Sequence, residues 1–383
     1  MGENICFIIG NGFNHLIKEI CRNKVEYYKD NKIPHHLDRK LGEERPIGIK
    51  IRKVDNKKEL NNFLINFEKL INLWDEPERP FSDLVYNLNL LLKDHNLTTE
   101  QIIGIINKTS EFIENKLSNE SSVKNFHVKD LSLKINSILI YDALKNCSDR
   151  FQDYENNGNY TILRELFRDE KGYFGKCFDE LIKNENIHIY STNYDGIIHS
   201  ILSYYVETKS TLNYFGADGF INGDFQTWVL QRNRNLLLLL HGSYRFMLNE
   251  ESNINKPTTY GYDLSEKNHP IMVYNDPCLK MDVIRNYYVL NYYFEIFKES
   301  LQNCSKLIIF GNSLKSDPHI VKAISNNFDK EKELIIVDYD EDCCKSVENI
   351  LKEHCQFKIK FEQTKEIHTT EELLNLFEEL IKN

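Results

Sequence analysis

The chain is predicted to be an α/β protein: a Rossmann-like, doubly wound parallel sheet carrying a large α-helical insertion. Three observations lead there. Short apolar runs without helical length recur at residues 5–9, 187–190, 236–240, 307–310 and 334–337, as strands buried on both faces read. Helical patterns follow several of these runs, at Leu16, Ile17 and Ile20, at residues 197–205 and at residues 318–328, which is the alternation of a doubly wound sheet. Between the first run and the rest lies a long stretch of amphipathic helical spacing with no strand pattern.

Taken in order, residues 5–9, the turn Gly10-Asn11-Gly12 and the helical positions after it make a βα unit. From about residue 24 to 55 the chain is polar and irregular, with Pro34 and Pro46, and reads as a long loop or hairpin excursion. Between Arg39 and Lys58, the basic residues Lys40, Arg45, Lys50, Arg52, Lys53 and Lys57, interleaved with Glu43 and Glu44, fit a solvated loop better than a partner-binding patch. Leu60, Phe63, Leu64, Phe67, Leu70, Ile71 and Trp74 then line one helix face. Pro77 and Pro80 break the pattern before Phe81, Leu84, Leu88 and Leu91 resume it. Thr98 and Gln101 form a capping box ahead of residues 102–117, and Leu131, Ile135, Ile138 and Leu139 mark a further helix. The tail adds a strand at residues 357–361 and a last helix opened by a Thr369/Glu372 capping box. The expected organisation is a first βα unit plus loop at 1–54, the helical insertion at 55–184, and the remainder of the sheet domain at 185–383.

Composition narrows the function classes. A net charge of −10 disfavours direct nucleic-acid binding, which needs a concentrated basic surface. The longest apolar runs fall far short of the roughly 20 residues that span a bilayer, so no membrane segment is expected. The start lacks the basic n-region of a signal peptide, and Cys6 stands where a myristoylation signal needs Ser or Thr, so a cytoplasmic location is expected. Nine cysteines without a C-x-x-C pair suggest neither a disulfide framework nor a zinc ribbon.

The polar residues that could carry chemistry stand after the strands. Gly10-Asn11-Gly12-Phe13-Asn14 lies between a strand and a helix, where backbone N–H groups and the helix dipole favour a phosphate. The third glycine of a dinucleotide fingerprint is absent at His15, and a tight turn that binds nothing has the same spelling. Thr192, Asn193 and Asp195 end the second run; an amide and a carboxylate on one side of an extended chain can grip ribose hydroxyls and a carboxamide, or simply cap the next helix. His241 ends the leucine run, as a candidate general base or a satisfied structural histidine. Gly311-Asn312-Ser313, ahead of Asp317-Pro318-His319, reads as a second phosphate or ribose cradle before a helix with Pro in its first turn. Asp338 stands where an acidic group could accept from a ribose, or in a solvated acidic turn.

The order of these motifs, a Gly-rich first turn, then T-N-x-D, H-G and G-N-S after successive strands, resembles the sirtuin family and its NAD-hydrolysing relatives in bacterial anti-phage defence. Gly10-Asn11-Gly12-Phe13 also looks like the opening of abortive-infection H proteins, in which an Asp commonly stands at the position of Asn14. Asn66-Phe67-Glu68 resembles an acidic Phe-Glu motif of those relatives. The resemblance covers the sheet, roughly half the chain. It implies Gly10, Asn11, Gly12, Gly311, Asn312 and Ser313 for NAD binding, to which Phe13, Asn14, Thr192 and Asp338 are added by their places after the strands. It implies Asn193 for ribose or water, Asp195 for nicotinamide and His241 for catalysis.

The paired zinc cysteines and the Pro-Asp-Phe-Arg stretch of the deacylases are missing, so the implied reaction is NAD hydrolysis to nicotinamide and ADP-ribose, with no zinc and no cofactor beyond NAD as substrate. The resemblance further implies an NAD-depleting effector with a HerA-type ATPase as a candidate partner, and the amphipathic surface expected of residues 55–184 suggests a homo-oligomer. A module that senses NAD or ADP-ribose without turnover is the alternative from another class. Replacing Gly12 by Val is expected to abolish NAD binding while the fold survives.

Overall fold

The computed structural model of the chain describes residues 4–30, 164, 167–194, 196–206, 211–213, 215–248, 253–256, 270–273, 277 and 280–382. The helices expected between residues 55 and 163, the basic stretch, Asn66-Phe67-Glu68 and Asp195 lie outside the described residues.

Six strands form one parallel sheet: β1 Asn4–Ile9, β2 Asn186–Ser191, β3 Leu236–Leu239, β4 Lys306–Phe310, β5 Glu333–Asp338 and β6 Lys358–Gln363. Their spatial order is β3-β2-β1-β4-β5-β6, with every neighbouring pair parallel. The chain therefore runs outward from β1 through β2 to β3, crosses back to the other side of β1, and runs outward again. That reversal puts the switch point between β1 and β4, where an open α/β sheet leaves a crevice beyond the carboxyl ends of its strands.

The strands form because their side chains are apolar on both faces. Along β1, Ile5, Phe7 and Ile9 enter one core while Cys6 and Ile8 enter the other. In β4, Ile308 and Phe310 join the first core and Leu307 and Ile309 the second. Helices α1 Asn11–Asp30, α2 Phe174–Leu181 and α3 Ile197–Leu202 cover the first face; then come α4 Thr227–Arg232, α5 Lys280–Asn286, α6 Tyr288–Asn303, α7 Pro318–Asn327 and α8 Glu341–Lys352 on the second. The last helix, α9 Thr370–Lys382, returns to the first face. Helix α2 falls inside the stretch expected as an insertion, yet its Phe174 and Phe178 belong to the layer that packs on the sheet.

Phe377 of α9 is the hub of the first core. Its ring lies 5.1 Å from Phe178, 5.7 Å from Phe7 and 5.9 Å from Phe310. The α9 capping box forms as expected, with Glu372 N donating to Thr369 Oγ1 at 3.2 Å and Thr369 N to Glu372 Oε2 at 2.9 Å. At its other end the buried Lys306 Nζ donates to Leu380 O at 3.0 Å and lies 3.3 Å from Glu333 Oε2. Among the elements not expected, besides α4, α5, α6 and α8, is the ribbon after β3, which runs through His241 into Gly242–Leu248 and pairs antiparallel with Ile254–Asn255 and Pro270–Met272.

The turns after β1 and β4 meet backbone to backbone. Gly10 N donates to Phe310 O at 3.0 Å and Gly12 N to Gly311 O at 2.7 Å. A Cβ on Gly12 would lie 2.7 Å from Gly311 Cα, and one on Gly311, at φ +61°, would lie 2.3 Å from Phe13 N. These glycines are needed first for loop-to-loop contact. Gly12→Val and Gly311→Ala are each expected to cost more than about 1 kcal/mol of stability. Gly12→Val should thus weaken the fold as well as any ligand site, contrary to the expectation from sequence. Chemical denaturation reads this directly; midpoints equal to wild type would mean that the two turns do not pack in this way.

Candidate functional site

Four strand ends bring the expected polar residues to one edge of the sheet. Thr192 N donates to Ile9 O at 2.9 Å, tying the turn after β2 to β1. Asn193 Nδ2 donates to Gly10 O at 3.0 Å, and Asn312 Nδ2 donates to Thr192 Oγ1 at 2.9 Å. The Asn312 Oδ1 accepts from Leu314 N at 2.9 Å, which fixes that amide. Gly10, Thr192, Asn193, Gly311 and Asn312 thus form one hydrogen-bonded rim around the switch point. Tyr194 OH donates to Val273 O at 2.6 Å and Ser243 Oγ to Tyr194 O at 3.1 Å, so the ribbon after His241 is stitched to the same rim.

Other expected residues stand apart. Phe13 is fully buried, edge-on to Phe310 at 5.1 Å, and is a core residue. Asn11 is exposed and its Nδ2 lies 3.2 Å from His15 Nε2, while Asn14 sits half-buried in the first turn of α1. Ser313 is exposed on the turn after β4. Asp338 ends β5, one strand further out, where its Oδ1 accepts from Tyr339 N at 2.8 Å and burial raises its pKa.

His241 is the centre of the site. It is 2% exposed, and its Nε2 lies 2.9 Å from His319 Nε2 and 3.6 Å from Asp317 Oδ1. Asp317 Oδ1 also accepts from Lys280 Nζ at 2.7 Å, in a buried ion pair. Burial, and then the Lys280 ammonium, hold the His241 pKa well below the ordinary value, against a hydrogen bond with the Thr192 backbone. Burial and the neighbouring His241 likewise push His319 down to about 3. Both rings are neutral at pH 7, and two neutral rings in contact share one N–H. The Thr192 bond raises the basicity of His241 as a carbonyl acceptor does; with Nε2 turned to His319, it falls to Nδ1–H. His319 Nε2–H is then the donor and the His241 lone pair the acceptor. His319 Nδ1 is left buried without a hydrogen-bond partner among the described residues.

Asp317, His319 and Lys280 received no role from the sequence. Asp-Pro-His at a strand-to-helix junction was a usable signal, since residues two apart across a helix start can both face the strand end. Lys280 gave none, being the lone lysine of a short helix in a lysine-rich chain.

The neutral buried histidines set an acid limit on stability. His188, His199 and His319 are held down at about 4, 3 and 3, each chiefly by burial. Unfolded, they titrate near 6.5, so below that value the unfolded chain binds protons that the folded chain refuses. Stability is therefore full above about pH 6.5 and falls on acidification. His188 alone accounts for about 2 kcal/mol between about pH 7.5 and pH 5. Urea titrations at the two pH values should show a lower midpoint in acid, with a shallower dependence in His188→Gln; equal wild-type midpoints would contradict it. Compared with known proteins, the chain matches no family model and no curated protein.

Proposed function

We propose that the chain binds NAD at the β1/β4 switch point and hydrolyses its nicotinamide-ribose bond, giving nicotinamide, ADP-ribose and a proton, as an NAD-depleting effector. The observation that carries this reading is the convergence of the Gly10–Gly12 turn, the Thr192–Asn193 turn, His241 and the Gly311–Asn312 turn on the crevice of a β3-β2-β1-β4-β5-β6 sheet. That strand order is the one whose crevice takes dinucleotides.

The chemistry needs little beyond orientation, because cationic nicotinamide is already a good leaving group. As its bond to the ribose breaks, positive charge develops on the sugar and water attacks the anomeric carbon. Asn193, with Nδ2 committed to Gly10 O, uses its amide oxygen to orient water or a ribose hydroxyl. The neutral His241 accepts the water's proton through Nε2. In the conformation described, the His319 N–H occupies that lone pair. Turnover requires the contact to open, and this is how the enzyme is restrained until assembly or a partner acts. The same occupied lone pair favours one rival, a module that binds NAD without turnover.

Protein assembled with its partner should release nicotinamide and ADP-ribose in equal amounts without any acyl peptide. His241→Ala should slow release ~10²- to 10⁴-fold while NAD still binds, and Asn193→Ala should be comparably slow. Chromatography of the products follows both. NAD bound and left intact would favour the sensing module; normal turnover by both variants would remove these residues from the chemistry.

A further inference from the structure

We propose that His241, His319 and Asp317 form a binding site for a divalent ion of the zinc class, and that the ion silences His241 by taking its lone pair. The silencing rests on the NAD-cleaving reading; the binding does not.

The ligand atoms of these three buried residues all lie within 4.8 Å of one another. Nitrogen and oxygen ligands at tetrahedral zinc stand roughly 3.3 Å apart. The 2.9 Å between the two Nε2 atoms and the 3.6 Å from His241 Nε2 to Asp317 Oδ1 bracket that spacing. For the ion to enter, neutral His319 changes tautomer, its proton moving from Nε2 to Nδ1 so that both Nε2 lone pairs face the ion, and the rings separate by a few tenths of an ångström. Among the described residues no hydrogen bond at His319 Nδ1 resists that change. Two imidazoles and one carboxylate select zinc, cobalt, nickel or copper over magnesium or calcium.

Asp317 adds an independent sign. It stands at the N-cap of α7, where an Asp side chain ordinarily accepts from the first turn, yet it makes no capping bond. Its carboxylate is turned to Lys280 and His241 instead. Lys280 is the built-in competitor, since its ammonium holds the oxygen the ion needs. Wild-type affinity is therefore limited by displacement of Lys280, and removing that ammonium should tighten binding.

Titrating the full chain, freed of metal with a chelator, with zinc by calorimetry and with cobalt by visible absorption tests the site. One ion per chain is expected, with cobalt bands that report imidazole ligation. His319→Ala, checked for folding by circular dichroism, should bind at least roughly tenfold more weakly. Lys280→Met should bind more tightly than wild type. A wild type that binds no ion at millimolar metal overturns the site, as does affinity unchanged in His319→Ala or not raised in Lys280→Met. Zinc should also suppress nicotinamide release by wild type, and undiminished release with the ion bound overturns the silencing. If the ion binds as expected but NAD is never cleaved with or without it, the NAD reading falls and the metal site stands.

Discussion

The backbone contact between Gly12 and Gly311 is the constraint on which the site depends. Two strands of a parallel sheet can be neighbours while their following loops diverge, and a crevice then opens with nothing to define its floor. Here the 2.7 Å bond from Gly12 N to Gly311 O closes the floor and leaves no room for a Cβ on either residue. From that fixed point Asn193 is set by the Gly10 carbonyl and Asn312 by the Thr192 hydroxyl. The β3 end is held in turn by Leu240 N donating to Ser191 O at 2.9 Å, which delivers His241 beside them. The geometry of the rim follows from backbone bonds more than from side-chain packing.

Desolvation governs the rest of the site. Lys280 and Asp317 are buried and offset each other, so removing one alone leaves an uncompensated charge. Two imidazoles beside that pair cannot afford further charge and stay neutral. A neutral imidazole is what proton abstraction and metal ligation both require, so the same burial that limits acid stability equips the site for either task.

The sheet was legible in the sequence because apolar runs buried on two faces have no other economical fold. All five main runs became strands, within a residue or two of the expected ends, and Thr369 with Glu372 capped the last helix as its spacing implied. His241, Asn193, Thr192, Gly311 and Asn312 were legible because they directly follow strands, and the carboxyl ends of parallel strands converge. Phe13 was misplaced for a physical reason. It follows the turn by one residue, but the start of α1 already points that position into the Phe310 and Phe377 cluster. Lys280, Asp317 and His319 were not legible as a group, since their meeting depends on how α5 and α7 dock on the sheet, and no periodicity records docking. The ribbon after His241 was hidden in mixed polar sequence, where pairing partners, not pattern, decide the strand.

The position of Phe377 has a consequence for how the chain is made. Phe7 and Phe13 are made first, and the ring that packs on both comes more than three hundred residues later. Until then the first face of the sheet lacks its central side chain, and β1 lacks β4 on one edge. Contacts so distant along the chain form late and slowly. During synthesis an aromatic, strand-rich surface therefore stays uncovered until β4 and α9 have been made, and such a surface is exposed to misassociation in that interval. Since β4 and α9 both follow β1 far along the chain, a product truncated before them would expose that surface without assembling the crevice.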